Sequence, residues 1–243
     1  MTTLVRIAIG FLMTLFLSSC GFDINIGDFA SGKKGNGKVV TETREINEDF
    51  TQVDVSEGLH AYVTQGDDFS IEVEADENIM DLIATDIKNG KLRIHAEENI
   101  GNATKNIRVT LPEITALEGS SGAHLETVNT VNSDEIEIEG SSGAQVRVDI
   151  VAGNLELDAS SGANINIVGD ANRATVDAST GGNINAKELV TKVCTANASS
   201  GGNVKIQVSE SLTADASSGG NIAYSGEPKV QQSKSVSGTV RQY

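Results

Sequence analysis

A chain of 243 residues with 34 acidic against 18 basic side chains, a formal net charge of −16, lacks the clustered lysine and arginine that nucleic-acid binding demands. The same charge is repelled by anionic lipid surfaces, so membrane attachment would need a hydrophobic anchor. Glycine is abundant at 25 residues, aromatics make up only 4% and tryptophan is absent. This profile disfavours a helical protein and predicts an all-β one with narrow cores and many tight turns.

Residues 1–19 read as a secretory signal peptide. Arg6 precedes an apolar run, Ile7 to Leu17, that is too short for the ~20 residues of a membrane-spanning helix. The run ends in Leu17-Ser18-Ser19-Cys20, which resembles the lipobox of bacterial lipoproteins. There the cysteine thiol takes a diacylglyceryl group and cleavage leaves Cys20 as the first residue. Several acyl chains on one residue, palmitate among them, hold a protein firmly, since each buried CH₂ contributes ~0.8 kcal/mol. Lipidation of Cys20 leaves Cys194 without a partner, so a small buried thiol and no intramolecular disulfide are expected. Residues 20–38, with five glycines among serine, lysine and asparagine, read as the flexible tether behind the lipid.

Residues 39–115 carry an irregular β pattern that predicts an N-terminal β segment and cap. Gln52-Val53-Asp54-Val55, Ala61-Tyr62-Val63-Thr64 and Ser70-Ile71-Glu72-Val73-Glu74 alternate as strands do. A short helix is predicted over 78–84. Asn89-Gly90 predicts a hairpin, because both of its turn positions need positive φ.

Residues 116–226 are repetitive. Ser120-Ser121-Gly122, Ser141-Ser142-Gly143, Ser160-Ser161-Gly162, Ser179-Thr180-Gly181, Ser199-Ser200-Gly201 and Ser217-Ser218-Gly219 recur at spacings of 21, 19, 19, 20 and 18. The flanks alternate at period two, as in Leu155, Leu157 and Ala159 against Glu156 and Asp158. A period near twenty is too short for a helix pair or a propeller blade, and the leucine-rich framework is absent. It fits a single-stranded parallel β-helix, a solenoid expected to wind right-handed, in which like residues stack ~4.8 Å apart. Residues 227–243 depart from the repeat and read as a C-terminal cap.

Stacking predicts columns. The hydroxyls of the triplet serines would bond to neighbouring backbone or to each other along their columns, each glycine supplying positive φ. Asn164, Asn183, Asn203 and Asn221 would form an amide column, with His124 and Gln145 in the earlier places. Serines without an adjacent base are not activated nucleophiles, so the triplets are structural. Two residues before each triplet stand Glu118, Glu139, Asp158, Asp177, Asn197 and Asp215. This outward acidic column is either a solvated face or a ladder for divalent cations, Ca²⁺ first, although the calcium-binding nonapeptide of β-rolls does not occur.

The lipobox, the run from Val53-Asp54-Val55 to Val63-Thr64-Gln65-Gly66, the stretch from Asp76-Glu77-Asn78 to Asn89-Gly90-Lys91-Leu92 and the Ser-Gly repeats together resemble the bacterial "putative auto-transporter adhesin, head GIN domain" family over roughly residues 48–230. The resemblance implies a β-helical fold, a cell-envelope location and an adhesin-like role, and carries over no catalytic residue. A polysaccharide-active enzyme would need a focused carboxylate pair or metal. Here the acids follow the repeat, and His60, His95 and His124 are scattered without metal-ligand spacing. The expectation is a non-enzymatic envelope lipoprotein that binds or displays, with a surface glycan or an envelope protein as partner. The alternative is a periplasmic structural or signalling-accessory lipoprotein.

Overall fold

The computed structural model describes residues 32–233 and 237–243. The signal segment and Cys20 lie outside the described residues. In chain order the strands are β1 (Val39–Thr43), β2 (Gln52–Val55), β3 (His60–Gln65), β4 (Ser70–Asp76), β5 (Ile83–Lys88), β6 (Lys91–Ala96), β7 (Lys105–Leu111), β8 (Ala116–Gly119), β9 (His124–Thr127) and β10 (Val131–Gly140). They continue as β11 (Gln145–Ala159), β12 (Asn164–Ala178), β13 (Asn183–Ala198), β14 (Asn203–Ala216), β15 (Asn221–Ser225), β16 (Lys229–Gln232) and β17 (Thr239–Gln242). The predicted helix is one 3₁₀ segment, Glu77–Leu82, and residues 83–84 already belong to β5.

Rungs stack in parallel to form a β-solenoid of about seven turns, extended at its two ends by the strand pairs β6/β7 and β16/β17. In β11 the buried residues are Val146, Val148, Ile150 and Ala152, then Leu155, Leu157 and Ala159. The phase slips by one residue at Gly153-Asn154, where the ladder also skips the Asp134/Gly153 pair. This bend divides each rung into two walls whose inner faces pack against each other. One wall runs β7–β3–β9–β11–β12–β13–β14–β15–β17, the other β6–β2–β8–β10–β11–β12–β13–β14–β16. In the first, Ile107, Ala61, Leu125, Val146, Ile165, Ile184, Val204 and Ile222 stack inside; in the second, Leu92, Val53, Leu117, Ile138, Leu157, Val176, Ala196 and Ala214 do. The second column shrinks from leucine to alanine toward the C-terminal end, while the inward column beside it grows from Gly119 and Gly140 to Ala159, Ala178, Ala198 and Ala216.

The triplets make the corner opposite the bend. Ser121 and Gly122 have φ of 50° and 73°, and Ala123 N–H donates to Ser120 O at 2.9 Å. Two consecutive left-handed residues closed by that bond make a type I′ turn, and the other five triplets repeat it. Each turn glycine also donates to the carbonyl of the middle residue in the next rung, as Gly143 does to Ser161 at 3.1 Å. The bonds that stack the corners are therefore backbone bonds. Spacings of 18 to 21 are absorbed away from the corner, at the register shifts between Asn166 and Val168 and between Ala186 and Val190.

The segment from 39 to 115 is more than a cap. Ser56-Glu57-Gly58 is a further corner, with φ of 61° and 67° at its last two residues, and β2 and β3 form a full rung. That rung lies between β8/β9 and β6/β7, so the chain lays down its second position, steps outward, then crosses back. Only β1, β4 and β5 run antiparallel, closing the end over β7 and β6. Residues 33–37, read as tether, are docked here. Lys33 bonds Asn99 and Gly101, the buried Asp76 carboxylate accepts from Gly37 and Thr104, and Asn78 holds Lys34 and Asn36.

Candidate functional faces

The two walls present different chemistry outward. On the β7-to-β17 wall the column next to the corner runs Asn106, His60, His124, Gln145, Asn164, Asn183, Asn203, Asn221, Thr239. The predicted amide column is thus present and extends into two earlier rungs. Its amides bond mostly to their own corner, each Nδ2 donating to the glycine carbonyl two residues back at 3.3, 3.0 and 3.0 Å from Asn164, Asn183 and Asn203. Rung-to-rung amide bonds occur at Asn203 to Asn183, 3.2 Å, and in the next column at Asn185 to Asn166, 3.0 Å. That next column is Arg108, Tyr62, Glu126, Arg147, Asn166, Asn185, Lys205, Ala223, Arg241.

His60 and His124, far apart in the chain, become neighbours here, with ring centroids 4.5 Å apart and planes inclined by 35°. Both stand two residues after a corner glycine, Gly58 and Gly122, and that offset was the signal in the sequence. Burial, then the neighbouring His124, hold the His60 imidazole below its ordinary value. Nδ1 of His124 is buried without a hydrogen-bond partner. His95 lies elsewhere, 2.8 Å from Asp86. The histidine pair, Tyr62, Glu126, Gln145 and Arg147 line a hollow of about 110 Å³.

The other wall is acidic. Glu118, Glu139, Asp158, Asp177, Asn197 and Asp215 stack as one column, and Asp54 joins it beside Glu118. The sequence reading missed Asp54 because its rung lacks a serine-rich triplet. Glu137 and Glu156 flank the column. Crowding leaves a mark: Glu139 is pushed up to about 7 by burial, by the hydrogen bond it shares with Glu137 and by the charges of Glu118, Glu137 and Asp158. Asp54 and Asp158 are raised too, first by burial and then by Glu118 and Asp177 respectively. At the outer end Lys91 pairs with Glu118 and Arg93 stacks on Asp54, and two columns away on the same wall stand Arg173 and Lys229. Among the described residues no three His, Cys, Asp or Glu side chains converge to hold a metal ion. Cys194 is a free thiol buried between the walls, and burial pushes it up to about 12.

These features define a class: a parallel β-solenoid with stacked outward columns and two chemically opposed walls. The chain belongs to the family described as "putative auto-transporter adhesin, head GIN domain", whose model matches residues 49–228. Among solved structures, a "putative adhesin" from Bacteroides fragilis superposes with a TM-score of 0.78 at 20% identity, covering 87% of this chain and 100% of its own. A "putative adhesin" from Parabacteroides merdae gives 0.70 at 22% identity, covering 86% and 98%. A "putative lipid binding protein" from Parabacteroides distasonis gives 0.69 at 20%, covering 86% and 98%. A comparison with curated proteins returned no match. Membership of an adhesin-like family agrees with a cell-envelope or surface association, and among the described residues no helix is long and apolar enough to cross a membrane.

Proposed function

We propose that this chain is an exported lipoprotein, anchored to the cell envelope through acyl chains on Cys20, whose solenoid binds or displays rather than catalyses. The observation that carries this reading is the amide wall. It offers nine stacked positions in each of two columns, polar and uncharged or cationic except at Glu126 and at the buried Ala223. Such a wall suits an extended ligand held by many weak contacts along its length.

Two measurements on intact cells test it. Radiolabelled palmitate should enter the wild type and not Cys20→Ser. Protease added outside should release solenoid peptides, and loss of the protein should reduce adherence to glycan-coated surfaces. Protection from protease, with a single periplasmic protein recovered by crosslinking, would replace adhesion by the accessory role.

A further inference from the structure

Resting on the binding reading, we infer that the amide wall takes an acidic polysaccharide, a chain bearing carboxylates at intervals, with one sugar ring seated in the hollow beside the His60–His124 stack. Charge is the first reason. The two outward columns carry Arg108, Arg147, Lys205 and Arg241 against the single carboxylate of Glu126. They form a cationic strip on a protein whose formal charge is −16. A polyanion is attracted to these two columns, beyond which Asp149 and Glu188 stand on the same wall, and is repelled by the acidic column of the other.

The second reason is the availability of the donors. The Arg147 side chain is 71% exposed, and its nearest carboxylate oxygen, on Glu126, stands 3.6 Å away, beyond hydrogen-bond length. Its guanidinium fork faces solvent beside the hollow and matches a carboxylate in two-point fashion. Arg108 lies over the Tyr62 ring at 5.3 Å from its centroid, which fixes a second fork on the same side, with the Glu74 carboxylate 3.6 Å away, again beyond hydrogen-bond length.

The third reason is spacing. From Arg147 the next cation in its column is Lys205, three rungs on, and then Arg241, two rungs further. At ~4.8 Å per rung these intervals are roughly 14 and 10 Å. Asn166 and Asn185 fill the rungs between. An extended sugar chain advances by about one ring per rung, so hydroxyls meet amides and charged sugars meet cations. Such sparse cations interleaved with amides differ from the dense basic cluster a nucleic acid requires.

The test is calorimetric titration of the full chain, extracted in detergent, with polygalacturonate and with dextran as the uncharged comparator. Polygalacturonate should bind and dextran should not. Arg147→Ala and Lys205→Ala should each weaken binding at least fivefold, and the double variant more than tenfold. Asp177→Asn, on the acidic wall, should leave it unchanged or slightly improved. Equal affinity for dextran, indifference to the two cation variants, or no binding to either polysaccharide overturns the inference. Protease shaving and adherence remain independent of that result, so a surface-exposed, adherent protein that ignores polygalacturonate would sink the ligand class and spare the binding role.

Discussion

Each of the six triplet corners holds a serine or threonine in the left-handed region, where L side chains other than asparagine and aspartate are rare. Thr180, at φ 46°, is the extreme because it is β-branched. Thr180→Asn or Thr180→Gly is expected to raise stability by up to ~1 kcal/mol in chemical denaturation, by removing that strain. The glycines separate two costs. Gly143 has φ 77° and open space where a Cβ would sit, so Gly143→Ala should cost only the backbone term, ~1–2 kcal/mol. A Cβ on Gly182 would stand 2.0 Å from the Ala159 carbonyl oxygen, so Gly182→Ala should shift a backbone and destabilise more. Buried Cys194, pushed up to about 12, should not react with a thiol reagent at pH 8 until denaturant opens the walls. A thiol titration of a chain carrying Cys20→Ser, with and without guanidinium, reads this directly.

At the scale of a column, stacking turns one substitution pattern into one property. Glu139 is raised to about 7 in the folded protein. Its protonated form is the one folding favours, so its contribution is fully present below the ordinary carboxylate range and is lost as pH rises through about 7. Thermal melting should give a Tm that falls between pH 5 and pH 8, and Glu139→Gln should flatten that slope by stabilising the protein at pH 8 while changing little at pH 5. Calcium is expected to raise the Tm, with chelator reversing it, because a divalent ion relieves repulsion between stacked carboxylates. An unchanged Tm would remove the cation reading, and an equal rise in sodium chloride of matched ionic strength would assign it to screening. The columns themselves were legible in the sequence, since six triplets fix which residues share a place. The Glu57 corner was not legible, because a glutamate stands where the serine is expected, and with it went Asp54 and the His60–His124 contact.

Over the whole molecule, contact is between neighbouring rungs, so stability should vary along the axis. Hydrogen exchange is expected to be slowest in β11 to β13, which are paired on both sides, and fastest in β16 and β17, which are solvent-covered and paired on one. Uniform protection would mean that the solenoid opens only as a unit. The period of twenty predicted this one-dimensional build. It could not predict the order of the rungs at the N-terminal end, where pairs such as the Thr51 and Thr115 hydroxyls, 2.9 Å apart, join residues 64 positions distant with no repeated motif to announce them.

That misplaced rung bears on how the protein is made. A thread that emerges N-terminus first during its synthesis could wind an ordinary spool turn by turn, each loop settling on the last. Here the loop of β2 and β3 finds one neighbour only when residue 111 has emerged and the other only when residue 127 has. The first half of the chain must therefore wait as an unfinished spool, its seam open, until the later segment closes over it. After that, β2 and β3, held between two other rungs, cannot be unreeled turn by turn from the N-terminus alone.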